Sequence, residues 1–277
     1  MCSISSPIPS KVPERWRSLA DASAGPRVLD VAGLATSIDL TEEALSGMYL
    51  PVLASLAGRA EGLARARPRS RLIVGLGGVP GAGKSVFAAV LANLAEQAAA
   101  RIPHGVVRPG WLVTVGMDGW HLPEAVLAER WTSEADGRRV PLRDRKGGPE
   151  SFDVPALAAA LRELREAGRE MHLPVYDRRR HDVVPGALVI PAVARVIFIE
   201  GNYLLCTTPP WNEVAGLLDS AFFLACDPAV ARARVIARHV AGGLDEAHAR
   251  RRYETNDAHN ARFVEPAIAR ADYILRP

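Results

Sequence analysis

Eight consecutive residues, Gly78-Val79-Pro80-Gly81-Ala82-Gly83-Lys84-Ser85, carry the spacing G-x-x-x-x-G-K-[ST]. Glycines at these positions let successive backbone N–H groups turn inward as an anion-binding nest without Cβ clashes. A helix opening near Lys84 and Val86 adds the positive end of its dipole. The lysine then reaches the β- and γ-phosphates of a nucleotide, and the Ser85 hydroxyl is a ligand for Mg²⁺. The setting matches the motif: the apolar run Leu72–Gly77 precedes it and Val86–Leu94 follows, as strand and helix. By residue usage alone, the fixed positions would occur by chance in roughly one such chain in a hundred. The flanking strand and helix make chance rarer still.

Ligands of parallel α/β sheets sit beyond the carboxyl ends of the strands, so residues just after each strand come next. Asp118 follows the run Trp111–Met117 and is itself followed by Gly119, Trp120 and His121. A carboxylate there can accept the proton of a hydroxyl attacking a γ-phosphate, or it can be a plain turn cap. Glu200 closes the apolar run Val196–Ile199, where a carboxylate holds Mg²⁺ directly or through water, and Asn202 follows it. Pro174–Asp182, with Tyr176, Arg178 and His181, is either a solvated hairpin tip or a cover of charged groups over an acceptor. The segment from Lys146 to Asp153 has the same two readings, Glu150 to Asp153 also being a plain helix start. Arg234 and Arg238, at i and i+4, are either a solvated helix face or a lid that neutralises a transferring phosphate.

Other chemistries lack their residues. There is no N-K-x-D motif for guanine, no H-E-x-x-H and no paired C-x-x-C. His104, His239, His248 and His259 are scattered and read as surface or capping residues. Cys2, Cys206 and Cys226 form no pair, which fits a reducing, cytoplasmic setting. A net charge of +3 and the lack of interleaved aromatic and basic residues argue against a nucleic-acid partner. No membrane-spanning length and no secretory leader are expected.

The elements that must position these residues follow from pattern. With 277 residues and 48% hydrophobic content, the chain can form one large α/β domain. Residues 1–70 are expected to be an extension packed on the core. Within it, 1–37 reads as a loosely ordered lead-in, and a helix capped by Asp39 and Glu42 runs to about Ala66, with Pro51 as a kink or break. The polar stretch Arg65–Arg71 reads as a linker. Residues 71–277 are expected to form the main domain. Its strands, near 72–77, 111–117, 173–176, 187–190, 196–199, 221–225 and 273–275, alternate with helices near 84–101, 154–167, 211–218, 228–241 and 245–270. Residues 119–152 read as irregular. That alternation predicts a mainly parallel sheet sandwiched by helices.

The segments GVPGAGKS (78–85), MDGWHL (from Met117), RKGGPESFD (from Arg145), PVYDRRRHD (from Pro174), IEGNYLL (from Ile199) and Asn256-Asp257-Ala-His-Asn260-Ala261 occur in one order along the chain. Together they resemble the phosphoribulokinase/uridine kinase/pantothenate kinase superfamily, most closely its bacterial nucleoside/nucleotide kinase-like, or fructose-transport-system kinase-like, branch. The resemblance runs from about residue 71 to the C-terminus. It implies a P-loop kinase fold using Mg·ATP, with Asp118 as general base, Lys84, Ser85 and Glu200 on phosphate and metal, and Arg234 and Arg238 as the lid. It also implies acceptor contacts from Tyr176, Arg178 and His181. His121, Lys146 and Asn202 complete the expected substrate-binding set. Trp120 stands where the family usually has Phe, and is expected to reshape the pocket wall. The activity so implied is ATP-dependent phosphorylation of a hydroxyl on a small sugar, sugar-acid or nucleoside-like acceptor, with a homodimer as the expected assembly. The competing reading is a nucleotide-dependent regulatory or assembly ATPase with no small-molecule acceptor.

Overall fold

The computed structural model describes residues 12–133, 137–178 and 180–276. It begins with α1 (Glu14–Ser23), a hairpin of β1 (Gly25–Val31) and β2 (Leu34–Leu40), the short α2 (Glu42–Ala44) and α3 (Leu50–Ala66). β3 (Leu72–Gly77), α4 (Lys84–Arg101) and β4 (Leu112–Gly116) follow. Next come α5 (Glu124–Glu129), a small hairpin of β5 (Trp131–Ser133) and β6 (Arg139–Pro141), and α6 (Val154–Leu164). A longer hairpin, β7 (Met171–Asp177) and β8 (Asp182–Ile190), leads to β9 (Val196–Glu200), α7 (Trp211–Gly216) and β10 (Ser220–Leu224). The chain closes with α8 (Pro228–Ala241), α9 (Glu246–Arg252), α10 (Ala258–Val264) and β11 (Tyr273–Leu275).

The main sheet has five parallel strands in the order β11-β10-β3-β9-β4. Its central strands are buried on both faces, which is why β3 and β9 read as unbroken apolar runs. Alternate residues feed two cores. Val74, Leu76, Phe198 and Phe222 face α1, α3 and α4, while Ile73, Ile197, Ile199 and Phe223 face α6, α7 and α10. The sandwich expected from the sequence is present.

The N-terminal region differs from its expectation. Residues 1–11 lie outside the described part, but 14–40 form a regular helix and hairpin. Trp16, Leu19, Ala20 and Ser23 are buried at helical spacing, and Trp16 is fully enclosed. In the hairpin, Ala32 (φ +52) and Gly33 (φ +83) make the two-residue turn. Positive φ at both central residues is the type I′ geometry that suits strand twist. Ala-Gly lacks the Asn-Gly or Asp-Gly signature, so the turn was invisible in the sequence. The helix cap is Thr41, whose Oγ1 accepts from the Ala44 N–H at 3.1 Å; Asp39 is instead a strand residue paired with Pro26. Pro51 neither kinks nor breaks the chain, because a π-helical turn at Leu45–Tyr49 precedes it and places it in the first turn of α3.

Arg71 was read as part of a polar linker, yet it is fully buried at the start of β3. Its guanidinium donates to the carbonyls of Glu166 (2.7 Å), Arg169 (2.6 Å), Ala194 (3.2 Å) and Pro191 (3.3 Å). One cation thus ties the end of α6, the approach to β7 and the β8–β9 connection beneath the sheet. Burial lowers its pKa, with Arg169 and Arg195 adding to the effect. Arg71→Met keeps the volume but leaves those carbonyls without donors, so a loss of about 3 kcal/mol is expected by urea denaturation. An unchanged midpoint would show that the carbonyls find other partners.

Candidate active site

β3 ends at Gly77, and residues 78–83 wrap round the start of α4. Gly81 has φ +82, and a Cβ there would lie 2.3 Å from the Ala231 carbonyl oxygen. Only glycine lets α8 press its backbone onto the loop. Val79 and Ala82 close the loop internally, the Ala82 N–H donating to the Val79 carbonyl at 3.1 Å. The first N–H groups of α4 face the space the loop encircles, a ready anion site.

Lys84 is buried, and its Nζ donates to the carbonyls of Gly78 (2.8 Å) and Val79 (3.0 Å) and to Asn202 Oδ1 (2.6 Å). Burial pushes its pKa down to about 8; Glu200 and Asp118 oppose the shift and Arg238 adds to it. Ser85 Oγ donates to Glu200 Oε1 at 3.0 Å. The Glu200 carboxyl is raised by burial and further by Asp118, with Lys84 opposing. Two carboxylates and a hydroxyl therefore converge beside the loop. Among the described residues, no cluster of three or more His, Cys, Asp or Glu forms a separate metal cage.

Asp118 sits on a 3-10 turn, Met117–Trp120, just past β4, with its side chain about half exposed. Gly119 is there for proximity: a Cβ would meet the Pro174 carbonyl oxygen at 2.4 Å. The β7–β8 hairpin is thereby seated against the Asp118 turn. Between them and α4 runs a groove of about 750 Å³. Ser85, Asp118 and Glu200 line one end; Tyr176, Asp177, Arg178 and Arg180 come from the hairpin. Arg238 lies within reach of Asp257 Oδ1 at 4.0 Å, and desolvation lowers its guanidinium pKa while Asp257 opposes. Arg234 lies over the loop, its Nη1 3.8 Å from Cys226 Sγ.

Several residues expected at an acceptor make contacts within the protein. The His121 ring is 4.0 Å from Phe152 and 5.0 Å from Tyr176 between centroids, and its Nδ1 meets the Asp118 carbonyl at 2.9 Å, behind the groove wall. Lys146 Nζ donates to Glu124 Oε2 (2.8 Å) and the His181 carbonyl (2.6 Å), and lies over the Tyr176 ring. His181 itself is exposed at the hairpin turn. Asn202 holds Lys84. Trp120 is a core residue packed among the α6 side chains and not part of the groove wall, so its substitution for Phe does not reshape that wall.

Two features escaped sequence reasoning. The tip of the β1–β2 hairpin, Asp30, Ala32 and Gly33, lines the groove. The buried Asn256 and Asn260 donate to the carbonyls of Lys146 (3.0 Å) and Gly147 (3.1 Å), and the Tyr203 hydroxyl also donates to Gly147 (2.6 Å). The second was signalled only as an unexplained N-D-x-x-N-A pattern.

A phosphate loop between a parallel strand and a helix, with carboxylates past two neighbouring strands, defines a P-loop nucleotide-binding phosphotransferase. The chain belongs to the phosphoribulokinase/uridine kinase family, whose model matches residues 73–276. That is a family of ATP-dependent phosphotransferases. The chain is similar to YggC of Escherichia coli (strain K12), at 32% identity over 89% of this chain and 93% of that protein. It is also similar to the pantothenate kinase of Rhodopseudomonas palustris (strain BisB5), at 26% identity over 82% and 71%. A crystal structure of a candidate fructose transport system kinase from Silicibacter sp. TM1040 superposes with a TM-score of 0.64, at 31% identity, covering 79% of this chain and 98% of that one.

The depressed pKa of Lys84 gives ATP binding a pH dependence. Phosphate raises the pKa of an adjacent ammonium, so above about pH 8 the free protein must take up a proton to bind. Affinity is expected to be flat below pH 8 and to fall by up to about tenfold per unit above it. Calorimetric titrations in buffers of different ionisation enthalpy should show that uptake at pH 9 and little at pH 7. Equal affinity at both values would assign Lys84 an ordinary pKa.

Proposed function

We propose that this protein transfers the γ-phosphate of Mg·ATP to a hydroxyl of a small acceptor lying in the groove. The observation that carries this reading is that the groove begins at Ser85, Asp118 and Glu200, directly beside the phosphate loop. A bare nucleotide switch has no use for such a space at the γ-phosphate position.

Lys84 and the loop N–H groups hold the β- and γ-phosphates. Ser85 Oγ and the Glu200 carboxylate are hard oxygen donors 3.0 Å apart, a set that suits Mg²⁺ completed by water and phosphate oxygens. When bound, the cation supplies charge neutralisation at the phosphates. Asp118, facing the groove from the end of β4, orients the acceptor hydroxyl and accepts its proton. Arg178 from the hairpin and Arg234 and Arg238 from α8 spread the charge of the transferring group. Nothing covalent is required of the protein; its contribution is alignment and electrostatics.

Asp118→Asn keeps the shape of the turn and removes the base. Turnover is expected to fall by about 10²- to 10⁴-fold while ATP affinity changes little. The check is a screen of ATP consumption over sugars, sugar acids, nucleosides and pantothenate, with the phosphorylated product detected by mass. Undiminished turnover in the variant would remove Asp118 from the mechanism. Phosphate release with no phosphorylated acceptor would favour the ATPase reading.

A further inference from the structure

The groove extends well beyond what a phosphoryl acceptor hydroxyl requires. Its volume is about 750 Å³, whereas a hexose of about twelve heavy atoms with a phosphoryl group and Mg²⁺ beside it takes roughly 500 Å³ when each atom is given the ~30 Å³ of a water molecule. The surplus lies along α4. Ala88, Ala89 and Ala92 line it, and Ala92 stands seven residues, about 10 Å, beyond Ser85. Val184 and Leu188 of β8 form the facing wall. The charged lining groups are elsewhere: Asp118 and Glu200 at the reacting end, Asp177, Arg178 and Arg180 near the β7–β8 turn, and Asp30 on the N-terminal hairpin.

That hairpin is a built wall. Leu29 and Ile38 pack its inner face onto the core beside α4. Its turn is fixed by Asp30 Oδ1, which accepts from the Gly33 N–H at 2.7 Å. Alanine at three groove-facing helix positions keeps open a space that leucine or phenylalanine would fill. Along α4 and β8 the lining side chains Ala88, Ala89, Ala92, Val184, Ala187 and Leu188 offer only hydrocarbon, while the uncharged hydroxyls of Thr114 and Tyr176 stand on β4 and β7. A second polyol or a nucleobase edge would lose hydrogen bonds to water there without replacement.

Resting on the transferase reading above, we infer that the acceptor is an amphipathic alcohol. Its hydroxyl end sits at Asp118, and its apolar chain lies in a subsite formed by α4, β8 and the β1–β2 hairpin. Specificity is then set partly by residues before 73, outside the span the family model matches.

The test measures binding of 1,2-alkanediols of four to eight carbons, with uridine and ribose as polar comparators, to the full chain loaded with Mg²⁺ and a non-hydrolysable ATP analogue. Each added methylene is expected to tighten binding about three- to fourfold. Ala92→Phe and, separately, Leu188→Asp should flatten that dependence from two different walls, with affinity for the analogue within twofold of the parent. Affinity independent of chain length, no binding of octane-1,2-diol at millimolar concentration, tighter binding of the polar comparators, or a chain-length gain that survives both substitutions would overturn the inference. Mass analysis with ATP separates the two readings. Chain-length-dependent binding without transfer keeps the subsite and removes the kinase. Transfer without chain-length dependence does the reverse.

Discussion

The parallel pairing of β3, β9 and β4 holds the reacting end together. Its register places Leu76, Glu200 and Gly116 side by side across three strands. The phosphate loop, the Glu200 carboxylate and the Asp118 turn therefore leave the sheet at one level. Slippage in a parallel pair would reverse which residues face each core, and both faces here are packed. The two apolar cores thus enforce a register that the site needs. Stability and chemical geometry are the same constraint at this edge.

Above the sheet, α8 and the β7–β8 hairpin are linked through the C-terminal helices. Asn256 and Asn260 hold the 146–147 backbone, whose Lys146 side chain reaches the β7–β8 turn through the His181 carbonyl. One residue along, Asp257 accepts from His239 Nε2 at 2.8 Å and lies beside Arg238 on α8. These three polar residues are buried, where a missing partner costs about 1–3 kcal/mol; Asn256 and Asp257 are partnered, while Asn260 donates through Nδ2 and its Oδ1 has no partner among the described residues. The donor-side arginines and the acceptor-side hairpin consequently share one support. A shift of α8 over the phosphate loop would be felt at the far side of the groove.

What the sequence disclosed follows physical lines. The phosphate loop was legible because its function rests on local backbone geometry, which fixes residue types at fixed spacing. β3 and β9 were legible because two-sided burial leaves an unbroken apolar run. The places of Asp118, just past β4, and Glu200, closing β9, were legible because each ends an apolar run. Arg71 could not, since nothing local tells an arginine feeding four backbone carbonyls beneath the sheet from one in a linker. The β1–β2 hairpin hid for a related reason. Its apolar residues do not mark one face, with Val28 exposed on the outer side and Leu34 exposed beside the turn, and its Ala-Gly turn departs from the usual signal. His121 and Lys146 were placed on the right loops, but which way a loop side chain turns depends on partners far away in sequence, here Phe152, Glu124 and the His181 carbonyl.

The same division explains why donor and acceptor are so unequally readable. The donor is held mainly by backbone N–H groups, a lysine and a hydroxyl, all within eight residues. On the transferase reading the acceptor lies in the groove, which is assembled from α4, β4 and two hairpins more than a hundred residues apart, and most of its wall is shape. Shape is set by what is absent: a side chain missing at Ala88, Ala89 and Ala92, and at Gly119 a Cβ that would push β7 away. Absence leaves no motif. An acceptor preference built this way can change by single substitutions on α4 or the hairpin tip without touching the phosphate loop, Asp118 or Glu200. On the proposed reading, a shared donor half leaves the choice of alcohol to the groove walls.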